Sequence, residues 1–155
     1  MQLVPVPGRA FETLAMDYNF MVNQSGTTSQ GHRARHAYWG DQMRDGLLRG
    51  FDRAYHGNRA PLIIGNHFES WNGGTYMRAV EETIERVCTR SEVRCVSFRQ
   101  LADWLDAQDP GTLAKLRTLK VGQAPKQGWT SFLTARSAQP TPASKGVPGA
   151  TAAKP

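Results

Sequence analysis

His67 stands at the centre of the densest group of chemically capable side chains in the sequence. The stretch NRAPLIIGNHFESWNGGTY, residues 58–76, runs through the apolar residues Pro61 to Ile64 into Gly65. Asn66, His67, Glu69, Trp71 and Asn72 follow within seven positions. Histidine is the natural general acid or base near neutral pH, and a carboxylate beside it orients the ring and favours its protonated form. Asp17, in the stretch AMDYNF, is the carboxylate available for this. The apolar run reads as a short buried strand, with Pro61 at its start and a β-branched pair inside it. The polar cluster is then the mouth of that strand, where α/β folds gather their catalytic groups. The alternative for His67 is a structural histidine that caps a loop.

Other constellations are weaker. His67-Phe68-Glu69 matches the H-x-E of zinc deaminases, but the P-C-x-x-C that supplies the remaining ligands is absent. His32 and His36 are spaced i, i+4, as a helical metal site requires. They follow a Gly/Ser/Thr-rich loop and flank Arg33 and Arg35, which repel a cation, so they read as a solvated loop. No serine nucleophile elbow, phosphate loop or dinucleotide fingerprint is present.

Three strand-then-helix units are predicted to position these residues. Residues 11–22 read as a strand leading into Asp17. The apolar positions Met43, Leu47, Leu48, Phe51, Ala54 and Tyr55 fall at helical spacing between Trp39 and Tyr55, and Gly57 and Asn58 stop that helix. The strand at 61–67 comes next, then a turn at Gly73 and Gly74, then a helix whose face carries Tyr76, Ala79, Val80, Thr83, Ile84 and Val87. VRCVSF reads as a third strand. Ser97 and Gln100 form a capping box for a short helix that Asp109-Pro110 ends. Residues Leu113 to Leu119 add a turn or two. The alternation predicts parallel strands near 12–17, 61–67 and 93–97 with helical crossovers. Three such strands leave two unpaired edges, and a complete (β/α) barrel takes about 250 residues. The chain therefore reads as the last part of a larger α/β domain. Its open sheet edge calls for the missing N-terminal part or for another chain.

A chain of 155 residues can build one real core. No apolar run reaches the roughly 20 residues that span a bilayer, and no signal peptide is visible. The chain either stays in the cytoplasm or is a piece whose export signal lies elsewhere. Residues 1–109 hold 12 Arg, no Lys and 13 acidic residues, a balance of −1. Residues 110–155 hold two Arg, five Lys and no acid, a balance of +7. The positive charge thus belongs to a tail rich in Pro, Ala and Gly, placed at 120–155 and predicted to be disordered, above all over 137–155. Such a tail solubilises, or tethers weakly to an anionic polymer. Cys88 and Cys95 have six residues between them, which is not C-x-x-C spacing. A disulfide clipping helix to strand and two reduced buried cysteines both fit.

FDRAYHGNRAPLIIGNHFESW, followed by a helix and then VRCVSFRQLADWL, resembles the C-terminal part of the polysaccharide deacetylases. These are carbohydrate esterase family 4, of NodB-homology fold, and the likeness is to the chitin-deacetylase-like branch. It covers residues 11–109 and is strongest from Tyr55 to Trp104. The resemblance implies a distorted (β/α) barrel and metal-dependent hydrolysis of N-acetyl, or in some members O-acetyl, groups of an amino-sugar polymer such as chitin or peptidoglycan. It implies that residues 1–119 are the C-terminal part of such a catalytic domain. His67 then protonates the leaving amine and Asp17 supports it. Trp71 and Asn66 are the candidate substrate contacts, and Trp71 and Trp104 correspond to aromatic wall or core positions; Trp104, at i+3 from Leu101, reads as core in any case. A complete member takes a divalent metal, zinc or similar, and is usually secreted or cell-wall associated. The family's Asp pair, its two histidine ligands and the Arg beside its base have no counterpart in this sequence. His32 and His36 come after the Asp17 motif, in the wrong order. No metal ligand is therefore assigned in this chain, which is expected to be inactive alone. The alternative is a non-catalytic remnant that serves as a binding or interaction module, its tail contacting an anionic polymer.

Overall fold

Helix α2, His36–His56, is the spine of the molecule. The computed structural model describes residues 2–134. Along α2 the residues Trp39, Met43, Leu47, Phe51 and Ala54 recur every three or four positions, and all five are buried. That spacing gives the helix one continuous apolar stripe. Arg53 and His56 sit in its last turn, where cations favour the C-terminal dipole. Against the stripe lies α3, Trp71–Val87, whose inner face is Tyr76, Ala79, Thr83 and Val87. Thr83 satisfies its buried hydroxyl by donating to the Ala79 carbonyl at 2.7 Å.

The other side of α2 is covered by an antiparallel hairpin of β1, Leu3–Pro5, and β2, Glu12–Leu14, paired Leu3↔Leu14, Val4↔Thr13 and Pro5↔Glu12. Two short strands are not stable alone in water. Val4 of β1, with Val6 and Ala15 just beyond the strand ends, joins Phe20, Met21, Met43 and Leu47 in the core. Two glycines permit this close approach. A Cβ at Gly46 would sit 2.6 Å from the Pro5 carbonyl oxygen, and one at Gly50 would collide with the Val4 side chain. Helix α1, Asp17–Ser25, follows β2 and buries Phe20 and Met21.

The C-terminal third is looser. Helix α4, Phe98–Asp106, carries the predicted capping box: Ser97 Oγ accepts from the Gln100 N–H and Gln100 Oε1 accepts from the Ser97 N–H. Helix α5, Pro110–Leu116, is capped by Asp109, whose carboxyl is held below its ordinary range by the Thr112 hydrogen bonds. Neither helix contains a buried residue. Residues 120–134, assigned by sequence to the disordered tail, instead carry a helix, α6, Trp129–Thr134, with Phe132 buried. The segment 137–155, expected to be disordered, lies outside the described residues.

The expected distorted (β/α) barrel of NodB-homology type, built from parallel β/α units, is not the fold. The molecule is mostly helical, with one two-stranded antiparallel sheet among the described residues. Of the predicted parallel strand at 12–17 only residues 12–14 are strand, as β2, and they pair antiparallel; from Asp17 on, where the strand reading of 11–22 continued, the chain is helix α1. Residues 61–67 form no strand; they make a single parallel bridge, Met16↔Gly65. Residues 93–97 form none. Parallel strands need neighbours that satisfy their backbone along its length. Here 61–64 and 93–96 instead line a groove of about 770 Å³ between α2, α3 and α4. Trp104, expected in the core, lines the same groove and is 51% exposed.

Cys88 and Cys95 are joined as a disulfide, with Cα atoms 5.7 Å apart, so the end of α3 is tied to the 93–97 segment. Arg90 reinforces that corner. It pairs with Asp52 at 3.1 Å and lies over the Tyr55 ring at 4.4 Å. No helix among the described residues is long and apolar enough to cross a membrane.

Candidate functional site

The bridge Met16↔Gly65 brings the two chemically important segments together. The Gly65 N–H donates to the Ala15 carbonyl at 2.8 Å, and the Asp17 N–H donates to the Gly65 carbonyl at 3.3 Å. This alignment puts Asp17 in the first turn of α1 level with His67. A carboxylate in a first helical turn faces unpaired N–H groups and is stabilised by the helix dipole.

Asp17 is 1% exposed and its carboxylate is fully engaged. Oδ2 accepts the His67 backbone N–H at 2.8 Å. Oδ1 accepts the Tyr18 N–H at 2.7 Å and lies 2.7 Å from His67 Nδ1. A buried carboxylate needs such donors, because an unpaired charge there costs several kcal/mol. The pairing fixes a proton on Nδ1, since the carboxylate can only accept. Nε2 is then the ring nitrogen not engaged by the carboxylate, and the side chain is 48% exposed.

The rings of Tyr18 and Trp71 flank the imidazole. The Trp71 centroid is 5.3 Å from that of His67, the Tyr18 centroid is 6.0 Å away, and Tyr18 and Trp71 meet edge to face at 5.9 Å. The turn that presents His67 is built by its neighbours. Asn66 Oδ1 accepts the Phe68 N–H at 2.6 Å, and Phe68 adopts a left-handed φ of 58°. A bulky residue in that region is strained, and such strain concentrates at functional sites. Phe68 itself is 80% exposed.

The structure thus brings together His67, Asp17 and Trp71. Asn66 stands beside them, but its oxygen shapes the turn, and its Nδ2 is enclosed with no hydrogen-bond partner among the described residues. Glu69 is exposed. Sequence reasoning missed Tyr18, although its position directly after Asp17 was a signal: the first turn of a helix carries both side chains to one rim. It also missed the buried role of Asn72, for which the adjacent Gly73 and Gly74 were the signal.

Metal ligation has no built site here. Among the described residues no three His, Cys, Asp or Glu side chains converge to hold an ion. His36 opens α2 with Nε2 3.0 Å from the Gly31 carbonyl oxygen and its ring stacked on Trp39. The cysteines are bonded to each other, so the H-x-E at 67–69 gains no thiolate partners. The residues present therefore do not fit the divalent metal that the family resemblance implies. No family model matches the chain, and comparison with curated proteins and with solved structures likewise finds no match.

Proposed function

We propose that this chain carries the proton-transfer corner of a polysaccharide deacetylase site, acting on N-acetyl or O-acetyl groups of an amino-sugar polymer. One observation carries the reading: a fully buried Asp17 holds Nδ1 of a half-exposed His67, while Tyr18 and Trp71 form an aromatic wall beside the imidazole ring. Aromatic faces suit the apolar faces of sugar rings, and an imidazolium held by a carboxylate suits delivery of a proton to a departing amine nitrogen as its C–N bond breaks. The ligands that would hold a metal are not among these residues, so the chain alone is expected to bind sugar without releasing acetate. The sequence of the tail, with its excess of Lys and Arg, would add affinity for an anionic polymer. The apolar groove lined by Leu62, Ile64, Val93, Phe98 and Trp104 would be covered by a further part of the domain or by another chain.

A second reading is favoured by the lack of a metal-ligand cluster among the described residues. In it the same aromatic wall belongs to a non-catalytic binding module. Titration of the chain with N-acetylglucosamine oligomers, followed by NMR, tests the site common to both. The expected result is displacement of His67, Tyr18 and Trp71 resonances, abolished in Trp71→Ala. Displacements absent from these three residues would sink both readings. Acetate release in the presence of zinc or cobalt, above that of His67→Ala, would overturn the expectation that the chain is incomplete. In a protein supplying the metal ligands, His67→Ala should lower turnover by about 10²–10⁴-fold without loss of metal.

A further inference from the structure

Trp71 is held against His67 by an unusual piece of backbone. Asn72, Gly73 and Gly74 all adopt left-handed conformations, with φ of 49°, 70° and 72°, before α3 continues right-handed. Glycine tolerates this freely, and asparagine is among the few other residues that visit it. Asn72 is 0% exposed and its polar groups are bonded in several directions. Its N–H donates to the Ser29 carbonyl at 2.6 Å. Its Oδ1 accepts the Gly31 N–H at 2.7 Å. Its Nδ2 donates to Ser25 Oγ and to the Tyr76 hydroxyl, both at 3.0 Å.

The network extends well beyond the turn. The Tyr76 hydroxyl donates to Gln24 Oε1 at 2.8 Å, Gln24 Nε2 donates to Gln42 Oε1 at 2.8 Å, and Gln42 Nε2 donates to the Pro7 carbonyl at 2.6 Å. A satisfied buried network of this kind specifies one arrangement, because breaking any member leaves a polar group without water. It joins α1, α2, α3 and the loop of residues 26–32 beneath the one residue that precedes the turn, Trp71.

We propose that Asn72 is the positioning residue of the His67 site: its buried side-chain amide holds the left-handed turn that sets the Trp71 ring against the imidazole. The inference rests on the reading of His67 and Trp71 as the substrate-facing pair. Asn72 touches neither substrate nor the exchanging proton; it acts through Trp71. A side chain with both a carbonyl oxygen and an amide is required, because the turn presents one donor, from Gly31, and two acceptors, on Ser25 and Tyr76, to the same residue.

The test is NMR on the full chain. Trp71→Ala first defines the ring-current contribution of Trp71 to the His67 ring shifts. Asn72→Gly keeps the backbone conformation accessible and removes only the side chain. It is expected to move the His67 shifts by most of the Trp71→Ala difference and to erase the Overhauser contacts between the two rings, with a dispersed amide spectrum retained. Tyr76→Phe, which removes one acceptor of the amide, should give a partial move in the same direction. Val87→Ala, in the same helix but far along it, should lower the thermal midpoint and leave the His67 shifts in place. Unchanged ring contacts in Asn72→Gly overturn the proposal, as does an equal displacement in Val87→Ala. If Asn72→Gly does not fold, Tyr76→Phe and Ser25→Ala decide, and unchanged contacts in both overturn it. These readouts need no sugar: a failed oligomer titration with the displacements present refutes the functional reading alone.

Discussion

Replacing Asp17 by asparagine probes the site at its most constrained atom. The carboxylate offers two oxygens to three donors: the His67 N–H on Oδ2, and the Tyr18 N–H and His67 Nδ1 on Oδ1. An amide has one oxygen. If that oxygen takes the Oδ1 position, its NH₂ group faces the His67 N–H, donor against donor. If it takes the Oδ2 position, the NH₂ faces the Tyr18 N–H, and the imidazole must shift its proton to Nε2 for Nδ1 to accept. In either orientation one buried backbone donor loses its partner, at about 1–3 kcal/mol, and the surviving bonds lose their charge assistance, at about 1 kcal/mol more. We expect Asp17→Asn to destabilise the chain by about 3 kcal/mol, a sizeable part of the 5–15 kcal/mol typical of a domain.

His67→Ala removes only the ring and keeps the backbone N–H on Oδ2. Because that ring is half exposed, it should cost about 1 kcal/mol or less. Urea unfolding followed by tryptophan fluorescence measures both, with the difference appearing as a lower midpoint at unchanged slope. Nitrogen-15 shifts of the imidazole report the tautomer separately. An Asp17→Asn loss below about 1 kcal/mol, or a larger loss in His67→Ala than in Asp17→Asn, would refute the claim that the carboxylate is the structural anchor of the site.

Reduction of the Cys88–Cys95 disulfide, or Cys88→Ser with Cys95→Ser, should lower stability by about 2.5 kcal/mol from the loop-closure entropy of so short a ring; a urea midpoint unchanged by reductant would contradict it. Burial pushes the Tyr76 hydroxyl up to about 12 from its ordinary 10.0. The folded state keeps this proton where the unfolded state sheds it, so the contribution is complete below pH 10 and is lost as the pH rises to 12. With solvent screening allowed for, the loss is about 1–2 kcal/mol, and a Tyr76→Phe variant with the same decline over that window would disprove the assignment. Gly40→Ala places a Cβ against Thr75 Oγ1, which donates to the His36 carbonyl. The gain of about 1 kcal/mol in helix propensity should be outweighed by about 1–3 kcal/mol of overpacking; a raised thermal midpoint would show that α2 and α3 can part without cost.

The helices were legible because their information is local. α2 and α3 show in the spacing of Met43, Leu47 and Phe51 and of Tyr76, Ala79 and Thr83, and the start of α4 shows in Ser97 and Gln100. Strands were not legible in the same way. PLII and VRCV have the composition of buried strands, yet a strand exists only through a partner that its own residues do not name. β1 was missed because Pro5 ends it and Pro7 follows closely, although Pro5 is tolerated in an edge strand. α1 was missed because DYNFMVNQS lacks a clear apolar stripe; its helix follows from packing of Phe20 and Met21. Trp104 was misplaced because its i+3 relation to Leu101 defines a face but not what covers that face. The site fared better. Asp17 and His67 were paired from the expectation that both close an apolar segment at one level, and that juxtaposition persists although the barrel does not.

The bridge between Met16 and Gly65 also sets an order of assembly. The Asp17–His67 contact closes 50 residues of chain, at an entropic cost of about 3.5 kcal/mol beyond that of a minimal loop. All of α2 lies inside that loop. Helix α2 forms from contacts a few residues apart, and α3 packs on it across residues 57–70, a shorter span than the loop itself, so both can arise before the ends of the loop meet. The Asp17–His67 corner is then among the last features to form and among the first to open. A population with its helices intact and this bridge broken would look native to any probe of helical content. The proton on His67 Nδ1, and not the helicity, is the quantity that tells a completed molecule from a nearly completed one.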